Sequence, residues 1–488
     1  MQRVKCYTIV MHWSSRLPII TVLVLATALR LYQLPQRMVF RGDEGRDARI
    51  VRTMLLSGRL VLEGPPSSVH TTAGTLMQGP LTYYLFAPAL LLANFSPVGP
   101  AVLTALFSVA TVGLLWWVGR RWFHPTAGLM AATAFALSPW ATSEAHHAWN
   151  PNFVPFLALA AVAGAVAAWQ HGSRPGIMVS LAALAAAAQF HASALVVAVP
   201  TAIAIVLAFR RHGRAMVIPF AFGLGVALLV SAPVLVREVQ AGFPSVKIVS
   251  AYMKAAPVQP RNWVAEAQDA RLHVTTAVKD IIVGGAALMK LIVLLGFLAL
   301  ITSVVRRRWH ELKIFGAIIV PWTVTTFVMI MFYREPVFSH YLTHFWPAIA
   351  LGWGWVVWQL STLVRRHHVA VALSLSLVTI IPSATHALFF SPPQADVQEA
   401  QRTAEVIAAR NSGSTVHVLS GDVERTIAPT AYFLERAGFV VENSLSNAST
   451  AFLLCSNPAC HTDSPDFIST ERIVISPRMT VVVFQSAL

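Results

Sequence analysis

Long apolar runs separated by short basic clusters are the feature that most constrains how this chain folds. Hydrophobic residues make up 56% of the 488 residues and charged residues only 12%, about half the charged share of an ordinary soluble protein. Apolar runs of this length predict transmembrane helices. The basic clusters predict which loops face the cytoplasm, because lysine and arginine concentrate there. They are Arg120/Arg121, Arg174, Arg210/Arg211/Arg214, Arg306/Arg307/Arg308 with Lys313, and Arg365/Arg366.

Placing every cluster in the cytoplasm predicts an α-helical polytopic membrane protein with about eleven transmembrane helices. Its N-terminus is then inside and its C-terminus outside. The first run also resembles a secretory signal peptide, but we favour an uncleaved first span. The predicted spans lie near residues 14–34, 98–118, 125–143, 153–169, 177–190, 193–209, 215–235, 281–305, 313–332, 341–361 and 369–389.

The net charge of +15 does not point to a nucleic-acid ligand. The positive charge is divided among short loops between apolar runs, whereas a phosphate backbone needs a continuous basic face. We therefore expect no nucleic-acid partner.

The apolar segment 79–94, GPLTYYLFAPALLLAN, is long enough to be taken for a further span. Counting it as one would place Arg120 and Arg121 outside and invert every later loop. Its two prolines, Pro80 and Pro88, disfavour a straight helix. We therefore expect this segment to lie in the outer interface, with Tyr83 and Tyr84 at the level of the lipid headgroups.

The tail from residue 391 to residue 488 is predicted to be a soluble extracytoplasmic domain that follows a membrane domain over residues 1–390. Segments with helical and strand-like patterns alternate there, which predicts a small α/β domain. Cys455 and Cys460 both lie in this tail, where a disulfide could persist; two free thiols are the alternative. The tail contains no glycine-rich phosphate motif, and we assign it no catalytic role.

The first external loop, residues 35–97, contains the densest charge cluster, FRGDEGRDARIVRTMLLSG. Asp43 is the predicted N-cap of a helix. Apolar residues on one stripe and arginines on another predict that this helix lies along the membrane surface with its arginines free. Arginine outside the cytoplasm opposes the topology rule, so an anionic partner is indicated, although charges paired with one another and with lipid are the alternative. The loop's arginines are Arg37, Arg41, Arg46, Arg49, Arg52 and Arg59.

Group transfer from a membrane-anchored phosphate is the chemistry that suits such a loop. A half-desolvated carboxylate is a competent general base for an acceptor hydroxyl or amine. Guanidinium groups can bind the phosphate and stabilise the negative charge that grows on it as it leaves.

Several segments resemble the GT-C superfamily of polyprenyl-phosphate-sugar-dependent glycosyltransferases, in particular bacterial relatives of protein O-mannosyltransferases and lipid A aminoarabinose transferases. The likeness covers roughly residues 15–360. It is carried by the early Asp-Glu pair with its surface helix, by GPLTYY, by GRRWFHPTAGLMAATAFALSPW and by HHAWNPNFVPFLALA. The order of these segments is more specific than any one of them.

The resemblance implies roles for individual residues. Asp43 matches the catalytic acid of the first loop and would deprotonate the acceptor. Glu44 would be its companion, either tuning Asp43 or contacting the acceptor. The predicted contacts to the donor phosphate are Arg46, His191, Arg334, His340 and Tyr341, although His191 could equally be a local hydrogen-bond partner at a helix end.

The second external loop departs from the family pattern, in which an arginine or an aspartate often lies near the end of the third span. Here the candidates are Glu144, His146 and His147. Glu144 could form a carboxylate pair with Asp43, or hold a divalent cation with Asp43 and His147. Pairing of Glu144 with a neighbouring histidine is the alternative. No cofactor is expected apart from this metal ion.

The sequence thus predicts a glycosyltransferase of the cytoplasmic (inner) membrane whose active site faces outward. Its expected partners are a polyprenyl-phosphate sugar, membrane lipids and an acceptor that is a protein, a lipid or a glycan. A secondary transporter or flippase is the alternative, but the predicted spans have few central charges and show no internal repeat. A glycan ligase or polymerase of another membrane fold is a third hypothesis.

Overall fold

The computed structural model describes most of the chain as helices, followed by a C-terminal sheet. The described residues are 17–255, 262–283, 289–364, 374–375, 393–420, 427–444, 448, 450–455 and 467–486. The helices are α1 (Leu17–Leu31), α2 (Leu34–Arg37), α3 (Gly42–Ser57), α4 (Leu81–Leu92), α5 (Val98–Trp122), α6 (Pro125–Leu137), α7 (Pro139–Glu144), α8 (Val154–His171), α9 (Arg174–Phe190), α10 (Ala198–His212), α11 (Val217–Gln240), α12 (Pro244–Lys254), α13 (Trp263–Val278), α14 (Met289–Val305), α15 (Trp309–Ile314), α16 (Val320–Phe332), α17 (Trp346–Ser361), α18 (Asp396–Ala408) and α19 (Ile427–Arg436).

A helix lies at each predicted span position up to residue 361. Within the described residues, four helical stretches are long and apolar enough to cross a membrane: Val98–Trp122, Asn150–His171, Ala192–Gln240 and Trp309–Phe332. The third of these contains α10 and α11, which meet at the Gly213–Met216 turn. The predicted span at 369–389 falls outside the described residues apart from residues 374–375. The total of eleven spans therefore stays a prediction.

Helix α4 is too short for a straight membrane span. Its 12 residues correspond to a length of about 18 Å, whereas the hydrocarbon core is about 30 Å thick. The expected interfacial position suits this length. Tyr83 is buried inside the protein, and the Tyr84 hydroxyl donates to the carbonyl oxygen of Val61 at 2.6 Å. The depth of these tyrosines relative to the lipid headgroups stays a prediction.

A buried arginine joins three helices of the bundle. Arg30 of α1 donates from Nε to Ser108 Oγ at 2.8 Å. Its two terminal nitrogens donate to the carbonyl oxygens of Ala136 and Phe135 at 3.0 and 3.1 Å. Those carbonyls belong to the last turn of α6, where backbone oxygens lack a partner within the helix and favour a cation. Arg30 thereby satisfies the end of α6 and ties it to α1 and α5.

The C-terminal domain, residues 393–486, contains a five-stranded mixed sheet with α18 and α19. Its strands are β3 (Thr415–Ser420), β4 (Val440–Glu442), β5 (Thr450–Cys455), β6 (Phe467–Ser476) and β7 (Met479–Ser486), in the order β4-β3-β5-β7-β6. Strands β4 and β5 run parallel to β3, and β7 runs antiparallel to β5 and β6. The predicted α/β architecture is confirmed. Cys455 is disulfide-bonded, and Cys460 lies outside the described residues.

Helix α3, called the charged helix below, is covered by the C-terminal domain. Helix α19 crosses it at Gly45, where an added Cβ would lie 2.5 Å from the backbone nitrogen of Pro429. The ring of Phe40, just before the helix, meets the edges of Tyr432 and Phe433 at 5.8 and 5.9 Å. Close backbone approach therefore requires glycine at position 45.

Arginines of this loop pair with the C-terminal domain. Arg41 Nε lies 3.0 Å from Asp396 Oδ2. Arg49 Nε donates to Glu435 Oε1 at 3.0 Å, and Arg52 donates to the backbone oxygen of Glu435 at 3.1 Å. The expectation of free arginines was therefore wrong for these three: Arg41 and Arg49 pair with carboxylates far along the chain, and Arg52 binds a backbone oxygen.

Substitution of Gly45 by alanine should weaken the docking of the C-terminal domain. The added methyl group would overlap the backbone at Pro429, and overpacking of this kind costs about 1–3 kcal/mol. Thermal unfolding and limited proteolysis of the purified protein would measure the loss. Gly225→Ala is the matched control, since Gly225 lies inside α11 with no atom within 4 Å of the added Cβ. If Gly45→Ala behaved like Gly225→Ala, this packing account would be wrong.

Candidate active site

The N-cap of the charged helix lies two residues before the expected position. The helix starts at Gly42 with Arg41 as the N-cap, and the backbone N–H of Arg41 donates to Glu44 Oε2 at 3.1 Å. The expectation that Asp43 is the N-cap was wrong. Asp43 instead lies in the first turn with its side chain 49% exposed. Glu44 is buried and serves the cap, whereas the carboxylate of Asp43 is accessible.

Arg46 connects Asp43 to a second carboxylate in the interior. Its Nη1 donates to Asp43 Oδ1 at 2.7 Å, and its Nε donates to Asp47 Oδ1 at 2.9 Å. The hydroxyl of Tyr83 from α4 also donates to Asp47 Oδ1, at 3.2 Å. Asp47 thus fixes the position of the Arg46 guanidinium on its buried side. Arg46 in turn donates a hydrogen bond to Asp43 on its accessible side.

Asp47 is almost fully buried, with 1% of its surface exposed. Burial raises the pKa of Asp47 to about 7, although the Arg46 guanidinium favours its ionised form. Within the described part of the chain, its Oδ2 has no hydrogen-bond partner. The Asp47 carboxyl therefore changes protonation near neutral pH, and its ionised form is the one that pairs with Arg46.

A cavity of about 420 Å³ opens beside Asp43 and Arg46. We call it the histidine cavity. Its walls come from the loop after α7, the corner after α9, the end of α16 and the turn before α17. Its polar lining residues are Asp43, Arg46, Ser67, Ser68, Gln78, Trp149, Asn150, His191, Ser193, Tyr333, His340 and Tyr341.

Three hydroxyl groups meet in the histidine cavity. Ser68 Oγ lies 2.9 Å from the Tyr333 hydroxyl and also forms a hydrogen bond with the Tyr341 hydroxyl. Ser68 is placed there by a hairpin of β1 (Pro66–Thr71) and β2 (Gly74–Met77). A set of hydroxyl donors of this kind can bind phosphate oxygens without adding charge.

The two histidines of the cavity are neutral at pH 7. Burial lowers the pKa of His191 to about 4. Burial, together with the nearby rings of His191 and His147, lowers the pKa of His340 to about 3. The backbone N–H of Ser193 donates to His191 Nδ1 at 3.3 Å, so the proton of the neutral ring resides on Nε2. Both histidines act as hydrogen-bonding groups here, and neither acts as a fixed cation.

A second cavity of about 790 Å³ lies on the other side of the same residues. We call it the domain cavity, because the charged helix and the C-terminal domain form its walls. Asp43, Arg46 and Trp149 line both cavities. The half-exposed carboxylate of Asp43 therefore stands at the junction of two spaces.

The structure brings most of the predicted site residues together, but not all of them. Asp43, Arg46, His191, His340 and Tyr341 line the histidine cavity. Arg334 does not line it. Its Nη1 donates to the backbone oxygen of Tyr252 at 2.9 Å, and its own backbone N–H bonds the Tyr252 hydroxyl at 3.0 Å.

The next group of predicted residues, Glu144, His146 and His147, reaches the domain cavity only through His147. His147 Nδ1 lies 3.6 Å from Glu44 Oε1. Burial lowers the pKa of His147, but Glu144 and Glu44 outweigh it and raise that pKa above its usual value. Burial lowers the pKa of His146 to about 4. Of these three, only His147 lines a cavity beside Asp43.

The predicted metal site does not form among the described residues. No group of three or more histidine, cysteine, aspartate or glutamate side chains there has a geometry that could hold a metal ion. The nearest charged partner of Asp43 is Arg46, whose Nη1 donates to its Oδ1 at 2.7 Å.

Sequence reasoning missed Asp47, Tyr83 and Ser68. Asp47 could have been found, since it follows Asp43 by four residues and therefore shares its helix face. Tyr83 and Ser68 had no such signal. Their contacts depend on how α4 and the β1–β2 hairpin fold back onto the site.

Comparisons with solved structures identify the architecture. ArnT from Cupriavidus metallidurans, in a structure bound to undecaprenyl phosphate, superimposes with a TM-score of 0.61 over 96% of this chain and 97% of that one, at 15% identity. The chain has the GT-C fold. The resemblance inferred from the sequence is thereby confirmed.

Two further comparisons agree with the GT-C fold. The oligosaccharyltransferase AglB from Archaeoglobus fulgidus, in complex with an inhibitory peptide and a dolichol-phosphate, gives a TM-score of 0.50 at 12% identity and covers 91% of this chain and 69% of that chain. Residues 77–236 match the family model described as dolichyl-phosphate-mannose-protein mannosyltransferase. A sequence search of curated proteins finds no match.

Replacing Asp47 by asparagine should flatten the pH dependence of stability. The folded-state pKa of Asp47, about 7, lies above its usual 3.8, so the folded protein binds more protons than the unfolded chain between these values. The contribution of Asp47 to the free energy of unfolding is then fully present below about pH 4 and is lost as the pH rises towards 7. Thermal unfolding of the wild type and of Asp47→Asn across pH 4–8 measures the difference. An unchanged slope in the variant would contradict the assignment.

Proposed function

We propose that this protein is an integral-membrane glycosyltransferase that moves a sugar from a polyprenyl-phosphate carrier to an extracytoplasmic acceptor. The observation that carries the proposal is the position of Asp43 and Arg46 at the edge of the histidine cavity, at the junction with a second cavity. The GT-C fold, shared with a protein whose structure holds undecaprenyl phosphate, supports a lipid-borne donor.

The donor phosphate is assigned to the histidine cavity. Arg46 supplies the guanidinium, and the hydroxyls of Ser68 and Tyr341 supply neutral donors. The neutral imidazoles of His191 and His340 add further hydrogen-bonding groups. A sugar phosphodiester carries one negative charge, and this environment of one guanidinium and several neutral donors suits it.

Asp43 is assigned as the general base. In the transfer step the acceptor oxygen attacks the anomeric carbon of the sugar and its proton passes to Asp43. The bond between that carbon and the phosphate oxygen breaks, and its electron pair leaves with the polyprenyl phosphate. The leaving phosphate gains one negative charge, which Arg46 and the hydroxyl donors stabilise. In-line attack would invert the configuration at the anomeric carbon.

Asp47 and Tyr83 position Arg46 in this scheme. Their contacts fix the guanidinium between the donor phosphate and Asp43. Glu44 is assigned a role in capping the charged helix, since its carboxylate is buried against the Arg41 backbone. In this proposal, the wall behind Glu44 consists of Glu144, His146 and His147. Arg334 does not contact the donor phosphate.

The site is placed on the outer side of the cytoplasmic membrane. The basic clusters between the apolar helices then face the cytoplasm, and residues 391–488 form an external domain over the active site. In this arrangement the membrane domain, residues 1–390, binds the lipid carrier.

Asp43→Asn should abolish transfer, because the amide cannot accept the acceptor's proton. General-base removal typically costs about 10²–10⁴-fold in rate. The purified protein would be incubated with a panel of undecaprenyl-phosphate sugars, and release of undecaprenyl phosphate would be measured. Asp269→Asn is the matched control, because Asp269 is an exposed acid (58%) on α13, away from both cavities.

Two results would contradict the proposal. Normal turnover by Asp43→Asn would remove Asp43 from the chemistry. Movement of intact donor across a vesicle membrane without cleavage, by the wild type, would favour the transporter alternative.

A further inference from the structure

Trp149 has no role in the transfer scheme above, although it borders both cavities. The residues that line both are Asp43, Arg46 and Trp149, and the first two are the proposed general base and phosphate ligand. Tryptophans that serve packing alone, such as Trp322 and Trp355 of the bundle, are almost fully buried. Trp149 is only partly buried. Part of its indole surface is therefore left for a ligand.

The loop that carries Trp149 is fixed by two buried amide side chains. Asn152 Nδ2 donates to the backbone oxygen of Glu144 at 2.7 Å, and Asn150 Nδ2 donates to the backbone oxygen of Phe190 at 2.5 Å. The indole is thus held in place before any ligand binds, and a pre-organised group loses little conformational entropy on binding.

Trp149 begins a continuous aromatic surface, which we call the aromatic wall. Its ring centroid lies 4.4 Å from that of His340, and the ring of Phe338 lies a further 5.8 Å along, almost parallel to His340 at 9°. All three rings line the histidine cavity. Because His340 is neutral at pH 7, the aromatic wall carries no charge.

An aromatic ring is complementary to one face of a sugar. The hydroxyl groups of a pyranose point outward from its rim, whereas a face of the ring can present only C–H groups. Neighbouring oxygens polarise these C–H groups, so that their hydrogens are attracted to the negative face of an aromatic ring. A polyprenyl chain has no such polarised C–H groups, and its path leads away towards the apolar helices.

The transfer step requires the donor sugar beside Asp43 and Arg46. One oxygen atom joins the phosphorus to the anomeric carbon, so the sugar ring adjoins a phosphate bound by Arg46. Asp43 must also be within hydrogen-bonding reach of the hydroxyl that attacks this carbon. Trp149 is the uncharged residue of the three that line both cavities, and its indole therefore borders the space in which the sugar reacts.

We propose that Trp149 is the platform for the donor sugar and packs its indole against the C–H face of a pyranose attached to the polyprenyl phosphate. His340 extends this platform within the aromatic wall. The inference rests on the proposed function and adds the residue that recognises the sugar ring. It also restricts the donor, because a pyranose with an axial hydroxyl towards the indole would fit less well.

Binding measurements separate the sugar from its carrier. Trp149→Leu keeps an apolar side chain but removes the aromatic face, and Trp149→Phe restores an aromatic face. Both changes are made together with Asp43→Asn, so that the donor is not cleaved. Trp309→Leu in the same background is the matched control, since Trp309 is 56% exposed on α15 and lines neither cavity.

The purified variants in nanodiscs are titrated with two ligands. One is the undecaprenyl-phosphate sugar that the wild type cleaves, and the other is undecaprenyl phosphate alone. Trp149→Leu should weaken binding of the sugar donor about 10-fold and leave binding of undecaprenyl phosphate unchanged. Trp149→Phe should recover most of the donor affinity, and Trp309→Leu should match the background variant with both ligands.

Three results would overturn the inference. Unchanged donor affinity in Trp149→Leu would show that the sugar lies elsewhere. Equal weakening of both ligands would assign Trp149 to the carrier or to folding. A Trp149→Phe variant as weak as Trp149→Leu would exclude the aromatic face as the cause. A wild type that cleaves no donor is a separate failure, since it would reject the proposed function itself.

Discussion

The docking of α19 onto the charged helix is the interaction on which the rest of the site depends. A helix with many arginines beside an apolar bundle needs counter-charges. Asp396 and Glu435 provide them from 355 and 386 residues further along the chain. Gly45 permits the backbones to meet, and the first turn of the helix is left uncovered at Asp43. The docking therefore positions the accessible carboxylate of the charged helix while it neutralises Arg41 and Arg49 beside it.

Charge is balanced locally throughout the site. Arg46 lies between two carboxylates, the histidines of the histidine cavity are neutral, and the outer arginines are paired with the C-terminal domain. Under the proposed function, such an environment offers hydrogen-bond donors to a singly charged phosphodiester without a large excess of positive charge. The separation of the two cavities by Asp43 follows from helix geometry, since the first turn projects into both.

Much of the fold was predictable because its patterns are local. Apolar runs marked the helices of the bundle, and alternating patterns marked α18, β3, α19, β5, β6 and β7 in the tail. Asp43, His191, His340 and Tyr341 were also found, since polar residues at helix ends stand out in an apolar chain. The pairing of Arg49 with Glu435 could not be predicted, because both lie on amphipathic helices and nothing local specifies their contact. The hydrogen bond from the Arg334 side chain to the backbone oxygen of Tyr252 in α12 could not be predicted for the same reason.

A structure of the purified protein with undecaprenyl phosphate, determined by electron cryo-microscopy in nanodiscs, tests the central claim most directly. The account predicts the phosphate in the histidine cavity, within hydrogen-bonding distance of Arg46 and of the Tyr341 or Ser68 hydroxyl, with its polyprenyl chain leaving towards the apolar helices. A phosphate bound in the domain cavity, or at a position remote from Asp43, would contradict it.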